Sequence, residues 1–312
     1  MTGMKLGHLR AFVAIADIGG FARAASRLNL TQSAISRQIA LLEEELGVRL
    51  FDRDGRNVKL TSPGEDLLRR SRHLLSDAAA LGERARELRG GQVGTLRISA
   101  TPQVIESILA PFLVRFLRAH PGVDVQLLES GIARHGQLER GEIHLAIMPF
   151  AEAEPFQRRL LYPIHVMAVL ARSHRLGRRT VLDIVELTEE RLLLLKQGFG
   201  ARGWFDAACG AAEVRPRILL ESAAPATLVA LAEVGHGIAI IPSNVPIAPK
   251  SIRRAFLTHR DLPIGRWSAI AWNQHRFLPR YGADFVDELV AVLQNRYPGQ
   301  DLIRRAPPLP RP

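Results

Sequence analysis

Gln32, Ser33, Ser36 and Arg37 place four hydrogen-bonding side chains within the segment QSAISR. At 3.6 residues per turn Ser33, Ser36 and Arg37 share one helical face with Ala40, while Gln32 sits in the exposed first turn. The chemistry open to such a surface is recognition of base edges in a major groove. Gln pairs with adenine, Arg pairs with guanine, and Ser or Ala lets a backbone approach closely. An ordinary solvated amphipathic helix would carry the same pattern, and helix pairs also occur as structural hairpins. The elements around the segment carry the distinction.

Behind that face Ile35, Ile39, Leu42 and Leu46 form an apolar stripe, which predicts a helix buried on one side. Thr31 is suited to cap it, and Leu30 stands where it can staple onto Ile35. Upstream, Phe21, Ala24, Ala25 and Leu28 make a second stripe, ended by Asn29 and Leu30. Two short helices around a polar turn read as a helix-turn-helix. Residues 50–60, LFDRDGRNVKL, follow as a hairpin with its turn expected at Asp54-Gly55. This wing presents Arg53, Arg56 and Lys59, which can neutralise phosphates or enter a minor groove, or can simply be solvated. The candidate DNA contacts are therefore Thr31, Gln32, Ser33, Ser36, Arg37, Arg53, Arg56 and Lys59.

Ser62-Pro63-Gly64-Glu65 fits a capping box with proline at the first helical position. In the helix that it opens, Leu67, Leu74, Leu81 and Leu88 recur every seven residues, and Ser71, Ala78 and Ala85 sit four residues after the first three. Such a seam needs a second chain, unless the face packs on its own domain. The charged flanks Arg69, Arg70, Glu83, Arg84, Arg86 and Glu87 favour a homodimer through residues 67–88. A two-fold protein suits paired half-sites on double-stranded DNA.

The stretch AFVAIADIGGFARAASRLNLTQSAISRQIALLEEELGVRLFDRDGRNVKLTSPGE resembles, without a gap, the amino-terminal domain of LysR-type transcriptional regulators. LRISATP, AHPGVDVQLLES, GEIHLAI and VGHGIAIIP resemble that family's effector-binding domain, so nearly the whole chain is covered. Gly20 stands where the family often has a serine cap and Ser33 where proline is frequent; a glycine cap is tolerated, and Ser33 adds a hydrogen-bonding group. The resemblance implies an α+β multidomain chain: a winged helix-turn-helix, a long dimerisation helix, and two α/β lobes like those of periplasmic binding proteins. It also implies a small-molecule effector between the lobes. Further, it implies a dimer of dimers, a homotetramer, whose effector-bound form alters the bending of promoter DNA and contact with RNA polymerase.

A length of 312 residues fits about two domains. No apolar run approaches the roughly 20 residues of a membrane span, and the N-terminus lacks the apolar stretch of a secretory signal, so the cytoplasm is the expected compartment. The single cysteine, Cys209, excludes an internal disulfide framework and a cysteine-rich metal site. A net charge of +11 favours a polyanionic partner. Yet Arg172, Arg175, Arg178, Arg179, Arg253 and Arg254 put basic residues in the far half as well, so charge supports DNA binding without locating it.

After a glycine-rich hinge at 89–94, strands are expected at 95–99, 123–128, 144–147, 166–170, 192–195, 218–220, 238–241 and 268–272, with helices between them. The expected organisation is a DNA-binding domain at 1–61, a linker helix at 62–90 and an effector domain at 91–300. The resemblance divides the last into lobe I (91–163 and 268–300) and lobe II (164–267), the chain crossing near Pro163 and returning near Trp267. Residues 301–312, rich in proline and arginine, are expected to be a disordered tail.

A ligand between such lobes sits at strand ends and helix N-termini. Thr101 and Gln103 directly follow the first strand, and the resemblance puts the family's effector-contacting loop at 100–103, Ala100 included; Thr101 fits a plain helix cap equally well. Gly200 and Arg202 lie in GFGARG, a loop that the family brings near its effector. Arg202 can meet a carboxylate there, so an anionic effector is expected. Met148 ends a strand, where it either lines the same cleft or packs in the core. GFGARG also matches G-x-G-x-x-G after a strand, with Glu221 near the spacing of a ribose-binding acid, which leaves a dinucleotide-binding oxidoreductase as the alternative. The ten histidines are scattered, without H-E-x-x-H or G-x-S-x-G. No catalytic residue, metal or cofactor is expected, and only His236, between two glycines, stands in a suggestive setting.

Overall fold

The apolar stripes of the first three helices pack against one another in one core. The computed structural model describes residues 4–54, 57–88, 93–129, 134–150, 155–247, 252–300 and 307, with only the main chain at 53, 54, 57, 83, 86–88 and 134. Two compact units divide at residues 91 and 92, and the first also takes in 139–142 and 275–277. The first unit contains α1 (Leu6–Ile18), α2 (Phe21–Arg27), α3 (Gln32–Leu46), β1 (Phe51–Asp54), β2 (Asn57–Leu60) and α4 (Ser62–Leu88). Phe12, Ile15, Ala24, Ile35, Ile39 and Leu42 are at most 1% exposed. At roughly 1.5–3 kcal/mol for each large buried side chain, this stripe dominates the unit's stability.

Thr31 caps α3, its hydroxyl accepting the Ala34 N–H at 3.1 Å. Leu30 stays 37% exposed, so the turn before α3 owes little to a hydrophobic staple. Main-chain groups hold it instead: the Leu30 N–H donates to the Ala25 carbonyl at 2.9 Å, and Asn29 takes a φ of +55°, a left-handed conformation that asparagine tolerates.

In the wing, Asp52 pairs with Lys59 and Asp54 with Asn57. This leaves Gly55 and Arg56 between the strands, one residue later than the expected Asp54-Gly55 turn, and both lie outside the described residues. The cap of α4 is likewise Thr61 rather than Ser62. Its hydroxyl accepts the Gly64 N–H at 3.0 Å and donates to the Arg49 carbonyl at 2.6 Å, so it satisfies a helix end and the chain entering the wing together. Proline then sits at the second helical position, where its missing N–H costs nothing either. Gly64 is required by contact, since a Cβ there would lie 2.2 Å from the Leu50 carbonyl oxygen.

The heptad seam of α4 divides. Leu67, Leu68, Ser71 and Leu75 pack into or beside the domain core, whereas Leu74 and Leu81 are 45% and 72% exposed. A straight helix drifts about 20° per heptad against a seven-residue repeat, so one stripe does not serve the same neighbour along its length. Leu67 and Ser71 therefore belong to the domain, and Leu88 has no described side chain.

The central strands of the second unit carry runs of buried apolar residues. Lobe I holds β3 (Gly94–Ala100), α5 (Pro102–Val104), a π-turn (Ile105–Leu109), α6 (Ala110–Ala119), β4 (Val123–Glu129), α7 (Arg134–Arg140) and β5 (Leu145–Pro149). β6 (Gln157–Ala171) follows, then β7 (Val181–Asp183), β8 (Arg191–Leu195), α8 (Gly200–Ala211), β9 (Arg217–Ser222), α9 (Pro225–Glu233) and β10 (Ile238–Pro242). β11 (Ile252–His259), β12 (Leu262–Pro263), β13 (Gly265–Trp272) and α10 (Arg280–Asn295) complete it. The strand order β4-β3-β5-β13-β6-β10-β8-β9 passes through β6. Residues 157–165 of β6 pair with β13, and 166–171 pair with β10 and β11. Only 166–170 was predicted as strand here, and β7, β11 and β12 were not predicted at all. Pro163 sits in this strand opposite Trp267, beside a register shift between Trp267 and Ala269, where a missing N–H is tolerated. Of the tail, only Pro307 is described, its carbonyl accepting the Trp267 indole N–H at 3.2 Å; the rest of 301–312 lies outside the described residues.

Two glycines should respond oppositely to substitution. A Cβ at Gly265 would meet the Ile164 carbonyl oxygen at 2.2 Å, whereas one at Gly203, inside α8, meets nothing within 4 Å. Urea denaturation is expected to show Gly265→Ala less stable by about 1–3 kcal/mol and Gly203→Ala more stable by up to about 1 kcal/mol.

Candidate functional site

Because α3 turns Ile35, Ile39 and Leu42 inward, the remaining arc must face solvent. Thr31, Gln32, Ser33, Arg37 and Ala40 are exposed and Ser36 is half-buried. The Thr31 hydroxyl caps the helix and lies 3.0 Å from that of Ser33, so it orders the first turn from which Gln32 projects. The wing is rooted in the same helix. Glu43 accepts the Leu50 N–H at 2.7 Å and the Phe51 N–H at 3.3 Å, and Phe51 meets Phe12 edge-on at 5.4 Å between ring centroids. Lys59 is exposed. Arg53, opposite Val58, is described by its main chain alone, and Arg56 lies outside the described residues. Glu43 escaped the sequence reading because Glu43, Glu44 and Glu45 look alike until the path of the chain past Gly47 is known.

A second site lies between the two lobes, where the ends of β3, β5, β8 and β10 and the starts of α5 and α8 enclose a cavity of about 70 Å³. Of the six residues expected near an effector, Thr101, Gln103, Met148 and Gly200 line this cavity and Ala100 and Arg202 do not. Ala100 is wholly buried in the core of lobe I. Thr101 holds the N-cap position of α5 yet makes no capping hydrogen bond with its side chain. Met148 is 4% exposed and also packs in a small core cluster, so cavity wall and core coincide there.

Arg202 is 6% exposed and turned away from the cavity. Its guanidinium donates to the Leu195 carbonyl at 2.7 Å, to Asp206 at 2.8 and 2.9 Å, and to the Glu221 carboxylate. Burial by itself would lower its pKa, and the hydrogen bonds to Glu221 and Asp206 hold it above the usual arginine value. Arg202 therefore braces α8 and β9 against β8, because a buried cation is stable only when paired. The expectation of an anionic effector loses the cation on which it rested. The oxidoreductase alternative also finds no support: Glu221, its ribose-binding acid, is bound to Arg202, and Gly200 and Gly203 belong to the helix itself.

The cavity's other polar groups were not foreseen. Asn244 is 3% exposed and Ser268 1%, and both line the cavity. Asn244 Nδ2 donates to the buried Tyr162 hydroxyl at 3.3 Å. Burial pushes that phenol up to about 12 against the opposing hydrogen bonds with Asn244 and Ser268, so it stays neutral. Asn244 follows the apolar strand IAIIP much as Thr101 follows LRISA, a signal that was available. Tyr162 and Ser268 gave none, since only the pairing of β6 with β13 brings them together. Trp204 packs against the cores of both lobes.

The remaining candidates do not form a site. His236 is exposed in the turn before β10. Cys209 is buried, and burial pushes its thiol up to about 11, so little thiolate exists at neutral pH. Among the described residues no cluster of His, Cys, Asp or Glu could hold a metal ion, and no helix is long and apolar enough to cross a membrane.

Residues 6–65 match the family model for the bacterial regulatory helix-turn-helix protein, lysR family, and residues 89–294 match that for the LysR substrate binding domain. The chain is 29% identical to the uncharacterized HTH-type transcriptional regulator YnfL of Escherichia coli, over 87% of this chain and 93% of that one. It is 31% identical to the HTH-type transcriptional regulator IlvR of Caulobacter vibrioides, over 88% and 94%. Among solved structures, full-length CbnR complexed with its target DNA superposes with a TM-score of 0.64 at 26% identity, over 92% of this chain and 99% of CbnR.

Removing Glu43 leaves the N–H of the fully buried Leu50 without its acceptor, so Glu43→Ala is expected to cost about 1–3 kcal/mol in chemical denaturation. Arg202→Met should cost a similar about 1–3 kcal/mol, less than a fully buried pair would, because the stranded Glu221 and Asp206 reach solvent. A neutral result for Arg202→Met would remove its bracing role.

Proposed function

The chain belongs to the LysR family of transcriptional regulators, and from that premise we propose that α3 reads promoter DNA through Gln32, Ser33, Ser36 and Arg37 in the major groove. Thr31 fixes the helix's first turn, and Arg53, Arg56 and Lys59 of the wing engage phosphates or the minor groove. The observation that carries this reading is the exposed polar arc of α3 set directly opposite its buried stripe. A helix so divided can approach base edges without uncovering its own core.

Regulation rests on the interlobe cavity. An effector bound against Thr101, Gln103, Met148 and Gly200 favours one relation between the lobes over the other, and its differential affinity for the two states is all that can move the equilibrium. Copies of the chain associate through the exposed Leu74 and Leu81 of α4, which places two recognition helices on paired half-sites. The open apolar side chains of α6 and β4 (Val114, Leu117, Leu127) and of β9 (Ile218, Leu219, Leu220) support a second contact, and hence a dimer of dimers. An altered assembly on DNA then changes contact with RNA polymerase, in the cytoplasm where the promoter lies.

The test is binding of the purified protein to promoter DNA beside its own gene, against scrambled DNA, at physiological salt. Arg37→Ala is expected to lose about 1–3 kcal/mol and to relax preference at one base pair. Unchanged discrimination would remove Arg37 from the reading set. Arg53→Ala is expected to weaken all sequences alike and to reduce the slope of log affinity against log salt by about one. A loss confined to one sequence would contradict the phosphate role.

A further inference from the structure

We propose that the segment after α10 is a strap laid across the crossing between the lobes, held at its far end by a proline docked on Trp267. Pro307 is buried, and its carbonyl accepts the Trp267 indole N–H at 3.2 Å. Among the described residues that N–H has no other acceptor. Pro307 belongs to A-P-P-L-P-R-P, residues 306–312. Aromatic side chains are the general receptors of such proline-rich runs, which lose little freedom on binding, and an indole adds an N–H for a main-chain carbonyl. Receptor and ligand are therefore both present in this chain.

The near end of the segment is fixed on the same crossing. Tyr297, just past α10, stacks on Tyr162 of β6 with ring centroids 5.7 Å apart. Gly299 then abuts Ser243: its φ is +84°, and a Cβ there would lie 2.8 Å from the Ser243 carbonyl oxygen, so only glycine suits the position. Ser243 follows β10 in lobe II. Its hydroxyl accepts the His165 N–H at 3.1 Å, and its own N–H donates to the His165 carbonyl at 2.9 Å. His165 is the last β6 residue paired with β13, opposite Gly265, and Trp267 lies two residues further along β13. The chain thus leaves lobe I at α10, meets lobe II at Ser243, and meets the crossing strand again at Pro307. Only residues 301–306 separate the two anchors. A tether so short keeps the dock at a high effective concentration, so one hydrogen bond and one buried ring suffice to hold it. Any change in the relation of the lobes must work against these contacts.

The test is limited trypsin digestion of the full chain, with mass spectrometry of the fragment 306–312 released by cleavage after Arg305. Pro307 lies two residues past the cleaved bond, so it must leave Trp267 before the protease can accept the segment, and the rate reads the undocked fraction. Each rate is divided by that of a free peptide of the same sequence, which removes any direct effect of a substitution on trypsin. Trp267→Phe keeps a ring and removes the N–H; it is expected to release the fragment about two- to tenfold faster. Pro307→Gly also removes the buried ring and should be faster still, with cleavage elsewhere in the chain unchanged. Where Trp267→Phe does not fold, Pro307→Gly decides alone, since residue 307 belongs to neither lobe's core cluster. Hydrogen exchange at the crossing amides of His165, Val166 and Ser243 is then compared between the parent chain and Pro307→Gly, and is expected to be at least about threefold faster in the variant. Normalised release equal in parent and variants would overturn the dock. Faster release with unchanged exchange would mean a docked segment that restrains nothing, and would overturn the strap.

Discussion

Strand β6 belongs to two sheets at once, and the second unit depends on that sharing. Its residues 161–171 are almost continuously buried, and its main-chain groups must find partners along the whole length. No single set of neighbours supplies them. β13 serves the first part, and β10 and β11 serve the second. Where the partners change, the sheet divides into two lobes joined by continuous main chain. The ends of β3, β5, β8 and β10 then converge on one crevice, the place where open α/β sheets present helix starts and loop side chains to a ligand.

A comparable economy governs the DNA-binding unit. It is small, and its core takes Ile35, Ile39 and Leu42 of α3 while Gln32, Ser33 and Arg37 stay exposed. Precision then comes from few groups. Thr31 sets where α3 starts, Glu43 ties the root of the wing to that helix, and Thr61 joins the start of α4 to the chain at Arg49. Each of these side chains meets main-chain groups that regular structure would leave unpaired.

Charge inside the effector unit is arranged for structure, leaving the cavity to neutral groups. Arg202 adjoins the wall residue Ala201, yet its guanidinium is bound to a carbonyl and two carboxylates. Tyr162, Asn244 and Ser268 supply polarity without ionisation.

The apolar periodicity of α1 to α4, the alternation of strands and helices, and the polar face of α3 were all legible in the sequence, because local pattern dictates which side of a helix or strand is buried. Turn positions shifted by one residue at the wing and at the start of α4, where neighbouring residues could serve equally: the strand register pairs Asp54 with Asn57, and the Arg49 carbonyl holds Thr61. The split of the α4 seam, the length of β6 through Pro163, and the direction of Arg202 were not legible. Each depends on what lies across the fold from it: a core that takes Leu67 but not Leu74, a partner strand with a register shift beside the proline, and two carboxylates four and nineteen residues away. Sequence by itself determined which elements form and which faces they bury, since those follow from neighbours along the chain. Only tertiary structure decided which polar groups meet at the cavity, Asn244 and Ser268 among them, since that depends on groups that the chain brings together from far apart.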